Sequence, residues 1–450
     1  MVILSYLLLL TNYNYPMRYS LVTPILLLIL LGFAGCTDQV EMTHTYVKFS
    51  PVTIRTDDLR SAVAVEAPRP LQTSGKIYYR APYLFINEPG EGIHIIDNSN
   101  PASPVNRSFV TIPGNYDMAV VGNYLYAESY IDLLTLDISN PLQVKLINRE
   151  ENVFPMHHSW VPFDENNPVI VTGWTEETVT ETFMGDADEV ADGVWQRNTD
   201  SFFPQIFVAM DDMASMSTAE SMMADAASQV GTGGSMARFA ATLTNLYAVD
   251  DSQLRVFSLQ DRTNPEAGST VPVGWGVETI FPFKDKLFIG SQQGMFIYDI
   301  ANADQPEYVS EFRHMRACDP VVANDSLAYV TLREGNACVG AQNQLDVINI
   351  EEITSPRLVE SYSMDHPHGL AISGNTLFIC EGAYGLKVYD TTNPRAISSN
   401  QLAHFTDIHA YDVIPIGNVL MLIGDDGLYQ YDFSDPTDIQ LLSTLDFVAL

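Results

Sequence analysis

Cysteine and positive charge are both scarce in this chain of 450 residues, which has 4 Cys and only 22 Lys+Arg against 56 Asp+Glu. The formal net charge of −34 repels nucleic acid and anionic lipid headgroups, so neither is expected as a partner. Sequence signatures of common enzymes are missing too. No Gly-x-Ser-x-Gly elbow, Gly-Lys-Ser/Thr phosphate loop, His-Glu-x-x-His or Cys-x-x-Cys-His occurs. No cofactor is implied. What is not scarce is apolar residues: at 46% they exclude a mainly disordered chain.

The apolar run Leu21–Leu31 is shorter than the roughly 17–25 residues of a membrane span. It follows Met17-Arg18 and precedes Phe33-Ala34-Gly35-Cys36, the order of a secretory signal: basic, apolar, then small residues. Phe33–Cys36 resembles a bacterial lipobox, which implies lipidation at Cys36 and anchoring to the outer membrane, on its periplasmic or surface face. Membrane contact is expected only through that anchor. Residues 1–36 read as the lipoprotein signal (Met17 being an alternative start), 37–70 as a tether, and 71–450 as the folded part.

The folded part repeats one unit. Gly427-Leu428-Tyr429-Gln430-Tyr431-Asp432 leads into Asp435-Pro436, and Gly385–Asp390 leads into Asn393-Pro394. Further copies are Gly92–Asp97 with Asn100-Pro101, Leu133–Asp137 with Asn140-Pro141, and Gly294–Asp299, with weaker ones at Leu254–Phe257 and Leu345–Ile348. Alternation of period two makes a half-buried strand, and Asx-Pro ends it in a turn. The fifth motif residue falls at 96, 136, 257, 298, 348, 389 and 431. Four short strands per period of about 40 predict an all-β chain of propeller blades. The one long step, 136 to 257, has room for two periods and an insert. That predicts eight blades, the third a degenerate one near Trp160–Phe163 and Val169-Ile170-Val171; seven is the alternative if the gap is a single long excursion. The insert, about 185–234, includes Asp211–Ser228, rich in Ala, Met and Ser and free of Gly and Pro, which favours helix.

Gly385–Pro394 and Leu134–Pro141 resemble the LVIVD-repeat family of bacterial β-propellers. The resemblance covers 75–450 apart from the insert and departs at Gly274–Pro282 and after Trp160. Its motif positions are strand and turn residues. It therefore implies a fold and carries over no catalytic residue.

Inner strands of a propeller begin at the mouth of the central channel, the expected ligand site. Counting back from the second-strand leucines places Lys76, Asp117, Arg238, Thr279, Asp319, Gly369 and Asp412 there, with Glu278 and His368 adjacent and His158 one period after Asp117. Lys76, Asp117, His158, Arg238, Glu278, Asp319, His368 and Asp412 are thus the ligand-binding candidates. No metal site is expected, because hard-cation ligands must converge at ~2.3–2.6 Å and these lie on different walls. The expected function is binding of an unidentified protein or small ligand at the channel mouth. The alternative is an extracellular hydrolase or lyase using the polar residues of the funnel. With Cys36 acylated in an oxidising compartment, Cys318 and Cys338 are expected to pair, leaving Cys380 as a buried thiol in its strand.

Overall fold

The computed structural model describes residues 39–73, 75–154, 168–186, 229–313, 320–333 and 343–448. Seven antiparallel sheets form a β-propeller. The first blade runs outward through Ile77–Arg80, Tyr83–Glu88, Gly92–Asp97 and Val105–Thr111. The second runs from Met118–Val121 to Lys145–Glu150 and the third from Phe239–Ala241 to Glu266–Pro272. The fourth runs from Val277–Phe283 to Glu307–Arg313 and the fifth from Val321–Ala323 to Arg357–Ser363. The sixth runs from Leu370–Ser373 to Gln401–Phe405 and the seventh from Asp412–Ile416 to Gln440–Asp446.

The repeated motif is the third strand of each blade, and its closing Asp has one local job. Asp97, Asp137, Asp299, Asp390 and Asp432 each accept a hydrogen bond on Oδ1 from the backbone N–H two residues on, at 2.7–3.1 Å. This Asx turn reverses the chain toward the outer strand. The Ser99 hydroxyl first, and then Arg107, hold the Asp97 carboxyl down at about 2. The motif's glycine is needed where strands approach closely: at Gly385 φ is +87° and a Cβ would lie 1.7 Å from the Phe405 carbonyl oxygen.

The count of seven is the alternative that the sequence left open, in place of the eight expected first. Val169-Ile170-Val171 belongs to the long strand Val169–Asp186, which pairs with Gln39–Arg55 in a sheet of two strands. The alternation there is real, but its partner is a strand that precedes the ring. The expected blade residues Trp160–Phe163 lie outside the described residues, as does the helix expected at Asp211–Ser228.

The chain divides into two units, one of residues 1–50 and 176–205 and the other of 51–175 and 206–450. The described part of the smaller unit is a strand pair, in which the hydroxyls of Thr45 and Thr180 meet at 3.1 Å. The larger unit holds the ring. Here the stretch expected to be a tether carries the helix Thr56–Ser61 and the strand Ala64–Glu66, which extends the first blade outward. Leu59 of that helix is buried with Tyr130, Ile131 and Ile170. Arg60 reaches the buried Asp132 through two hydrogen bonds of 2.9 and 3.1 Å, and Arg149 meets the same carboxylate at 2.9 Å.

Among the described residues the four principal strands of every blade come from one continuous run, so none of these is exchanged to close the ring. The seam between the seventh and first blades is apolar packing of Ile414, Met421, Ile423 and Leu428 against Ile77, Leu84, Ile86 and Ile96. A reciprocal amide pair is added: Gln430 Nε2 donates to Asn98 Oδ1, and Asn98 Nδ2 donates to Gln430 Oε1, both at 2.8 Å.

Candidate functional site

The ring's axis is occupied by its own chain. Val230 bridges to Val121 of the second blade, and Thr232–Gly233 pairs with the inner strand of the first. Beyond these, Ser235 Oγ accepts from the Leu370 N–H of the sixth blade at 3.0 Å, and Ala237 O accepts from the Ile280 N–H of the fourth at 2.8 Å. One short segment that touches inner strands on opposite sides of a ring must cross its centre. Ser235 and Met236 have no exposed surface. The stretch Gly231–Gly234 is the start of this crossing. Small residues are needed because the inner strands leave little width: a Cβ on Gly231 would lie 2.2 Å from the Tyr78 ring.

The crossing segment changes what the sequence-predicted residues do. Lys76, Asp117 and Arg238 are brought together as expected, but inside the protein. Lys76 Nζ donates to Met236 O at 2.6 Å and lies 3.8 Å from Asp117 Oδ2. The Asp117 carboxylate accepts from the backbone N–H groups of Met118 at 2.7 Å and Arg238 at 2.5 Å. The Arg238 guanidinium meets the fully buried Glu128 at 3.1 Å, and Glu128 also accepts from the Tyr116 N–H at 2.9 Å. Burial pushes the Asp117 carboxyl up and the Lys76 ammonium down, while each opposes the shift of the other. Asp412 is fully buried as well, accepting from its neighbour Val413 N–H at 2.9 Å. These four positions start inner strands, and they fix the crossing segment and the strand ends.

Glu278 and His368 lie apart from that network. Glu278 accepts from Gln292 Nε2 at 2.9 Å, and burial raises its carboxyl to about 7 against the opposing pull of Arg333 and Lys76. His368 is 5% exposed, and burial, then Arg333 and His366, hold its imidazole well below the usual histidine range. His158 and Asp319 lie outside the described residues, as do Cys36, Cys318 and Cys338 with the lipid anchor and disulfide expected of them. Cys380 is a buried free thiol. Among the described residues no cluster of three or more His, Cys, Asp or Glu is placed to hold a metal ion.

Antiparallel order within each blade puts the loops that enter inner strands and the turns between second and third strands on one face. Trp275, entering the fourth blade, is 52% exposed on that face, and Tyr384, in the sixth blade's turn, is 53% exposed. Acids stand on the same face: the side chains of Glu91, Glu151, Asp365 and Asp425 are each more than half exposed. Sequence reasoning passed over Trp275 and Tyr384 because it searched inner-strand starts. The signal available was an aromatic beside glycine in a loop, Gly274-Trp275-Gly276 and Tyr384-Gly385.

Comparison with known proteins bears on the same repeats. The model of the LVIVD repeat matches residues 81–111, 115–149 and 328–364. The chain carries LVIVD repeats. Those matches fall in the first, second and fifth blades. No curated protein matches the sequence. Among solved structures, a protein from Lactobacillus plantarum is similar at 10% identity, covering 84% of this chain and 97% of that one, with a TM-score of 0.50. A functionally unknown protein from Desulfotomaculum acetoxidans is similar at 10% identity over 81% of this chain and 95% of its own, TM-score 0.48. BamB from Moraxella catarrhalis is similar at 8% identity over 86% and 98%, TM-score 0.44. At such identities the likeness concerns the fold alone.

Proposed function

We propose that this LVIVD-repeat propeller is a binding module, lipid-anchored at Cys36 in a bacterial envelope, whose inner-strand-start face takes a cationic protein partner. The observation that carries the reading is the exposure of Trp275 and Tyr384 on that face, in a chain whose formal net charge is −34. Exposed aromatics are the residues on which interface energy concentrates, and a net negative charge steers a basic partner to them. The expected channel-mouth ligand is relocated in this reading to the loops around the mouth, since Lys76 and Asp117 are engaged with the chain's own crossing segment, Arg238 with Glu128, and Asp412 is buried at the start of its own strand. Co-isolation from envelope fractions tests it, with wild type against the double variant Trp275→Ala, Tyr384→Ala. The reading expects a partner retained by wild type, released at high salt and lost from the double variant. Equal recovery of the same partner by both would refute it.

A further inference from the structure

His366 and His368 are brought face to face in a way the intervening proline does not suggest. His366 Nδ1 and His368 Nε2 are 3.1 Å apart, with ring centroids at 4.9 Å and an interplanar angle of 74°. His368 is fixed from several sides. Its N–H donates to Cys380 O at 2.7 Å, its carbonyl accepts from Thr331 Oγ1 at 2.8 Å, and its ring stands edge-on to Tyr411. We propose that this His-Pro-His pair is a site for a divalent transition-metal ion of the imidazole-preferring class, copper(II) foremost.

Two observations converge on it. Metal–imidazole bonds of ~2.0–2.1 Å to two nitrogens 3.1 Å apart enclose an angle of about 100° at the metal, within the range of tetrahedral and square-planar sites. Space beside both nitrogens is kept by Gly382, with φ +54°: a Cβ there would lie 3.0 Å from His368 Nε2 and 3.4 Å from His366 Nδ1.

The surroundings define the ligand set. Glu381 and Asp365 are nearby carboxylates, but Lys387 Nζ sits 2.5 Å from the first and 2.7 Å from the second and neutralises them. The Tyr411 hydroxyl is given to Asp425 at 2.7 Å. Among the described residues the ion is therefore held by two nitrogens. Imidazole ligands and the order of divalent-metal affinities place copper(II) ahead of nickel(II) and zinc(II).

Calorimetric titration of the folded chain with copper(II), alongside its electron paramagnetic resonance spectrum, tests the assignment. Wild type is expected to bind one equivalent more than His366→Gln and His368→Gln, with a spectrum showing two imidazole nitrogens. Gly382→Ala is expected to weaken that equivalent at least tenfold. His409→Gln, altering a histidine that meets Asp425 instead, is expected to retain it. His366 is only partly buried, so His366→Gln keeps the test decisive if the buried His368→Gln fails to fold. Equal stoichiometry and affinity in wild type and folded His366→Gln overturns the proposal.

Discussion

Asp97 and Asp117 show how one residue type answers to two different environments. Asp97 accepts from groups two residues away, so its role repeats wherever the turn repeats. Asp117 receives its second partner from Arg238, far along the chain, and the burial that comes with it pushes its carboxyl up. Glu278 permits a direct test of such burial. Its carboxyl stands at about 7, raised above the 4.5 of an exposed glutamate. The folded state therefore holds this proton more tightly than the unfolded chain does. The associated stability is complete below about pH 4.5 and is lost as pH rises through 7. Glu278→Gln, which keeps an acceptor for Gln292, should match wild type in urea unfolding at pH 4.5 and exceed it at pH 8. A constant difference across that interval would contradict the burial account. Arg238→Ala should instead destabilise by about 3–5 kcal/mol at any neutral pH, because it takes the guanidinium from the fully buried Glu128 carboxylate. Denaturant midpoints with unchanged slope would measure that loss.

At the scale of elements, blades were legible and their count was not. Strand alternation, Asx turns and a 40-residue step are local, so residues such as Asp390 and Gly385 announce their blades in sequence. The Val169–Asp186 strand also alternates, yet its partner Gln39–Arg55 lies more than a hundred residues earlier. Period-two patterning says that a strand exists and leaves its neighbour unspecified. The crossing segment Val230–Arg238 was hidden for a related reason. It has no periodicity, and its partners Lys76, Ile280 and Leu370 belong to three separate blades. Register from the second-strand leucines did place Lys76, Asp117 and Arg238 together; it had no means of showing that the centre between them is filled. A paired replacement checks this. Exchanging residues 187–228 for a Gly-Ser linker of equal length should leave thermal unfolding within a few degrees of wild type. Extending the exchange through Met236 should lower the melting temperature by ten degrees or more, because it disturbs the contacts of Val230, Thr232–Gly233 and Ser235 to three blades. If both exchanges behave alike, the crossing does not hold the ring.

At the scale of the whole molecule, a ring made of seven continuous blades depends on its seam. Gln430 and Asn98 satisfy each other there in a buried site, so Gln430→Leu should cost about 1–3 kcal/mol by leaving the Asn98 amide unpaired. Unfolding in urea would report it as a shifted midpoint. With the seam closed and the axis filled, the surface left for recognition is the loops. Trp275 and Tyr384 stand on one face, whereas Leu142, 63% exposed, stands in a turn between third and outer strands on the other. The net charge of −34 favours a basic partner for whichever face is used. Photo-crosslinking residues placed singly at 275, 384 and 142 and irradiated in intact envelopes decide the matter most directly. The account predicts a shared, salt-sensitive adduct from positions 275 and 384 and none from 142. An adduct from 142 alone, with 275 and 384 silent, would contradict it.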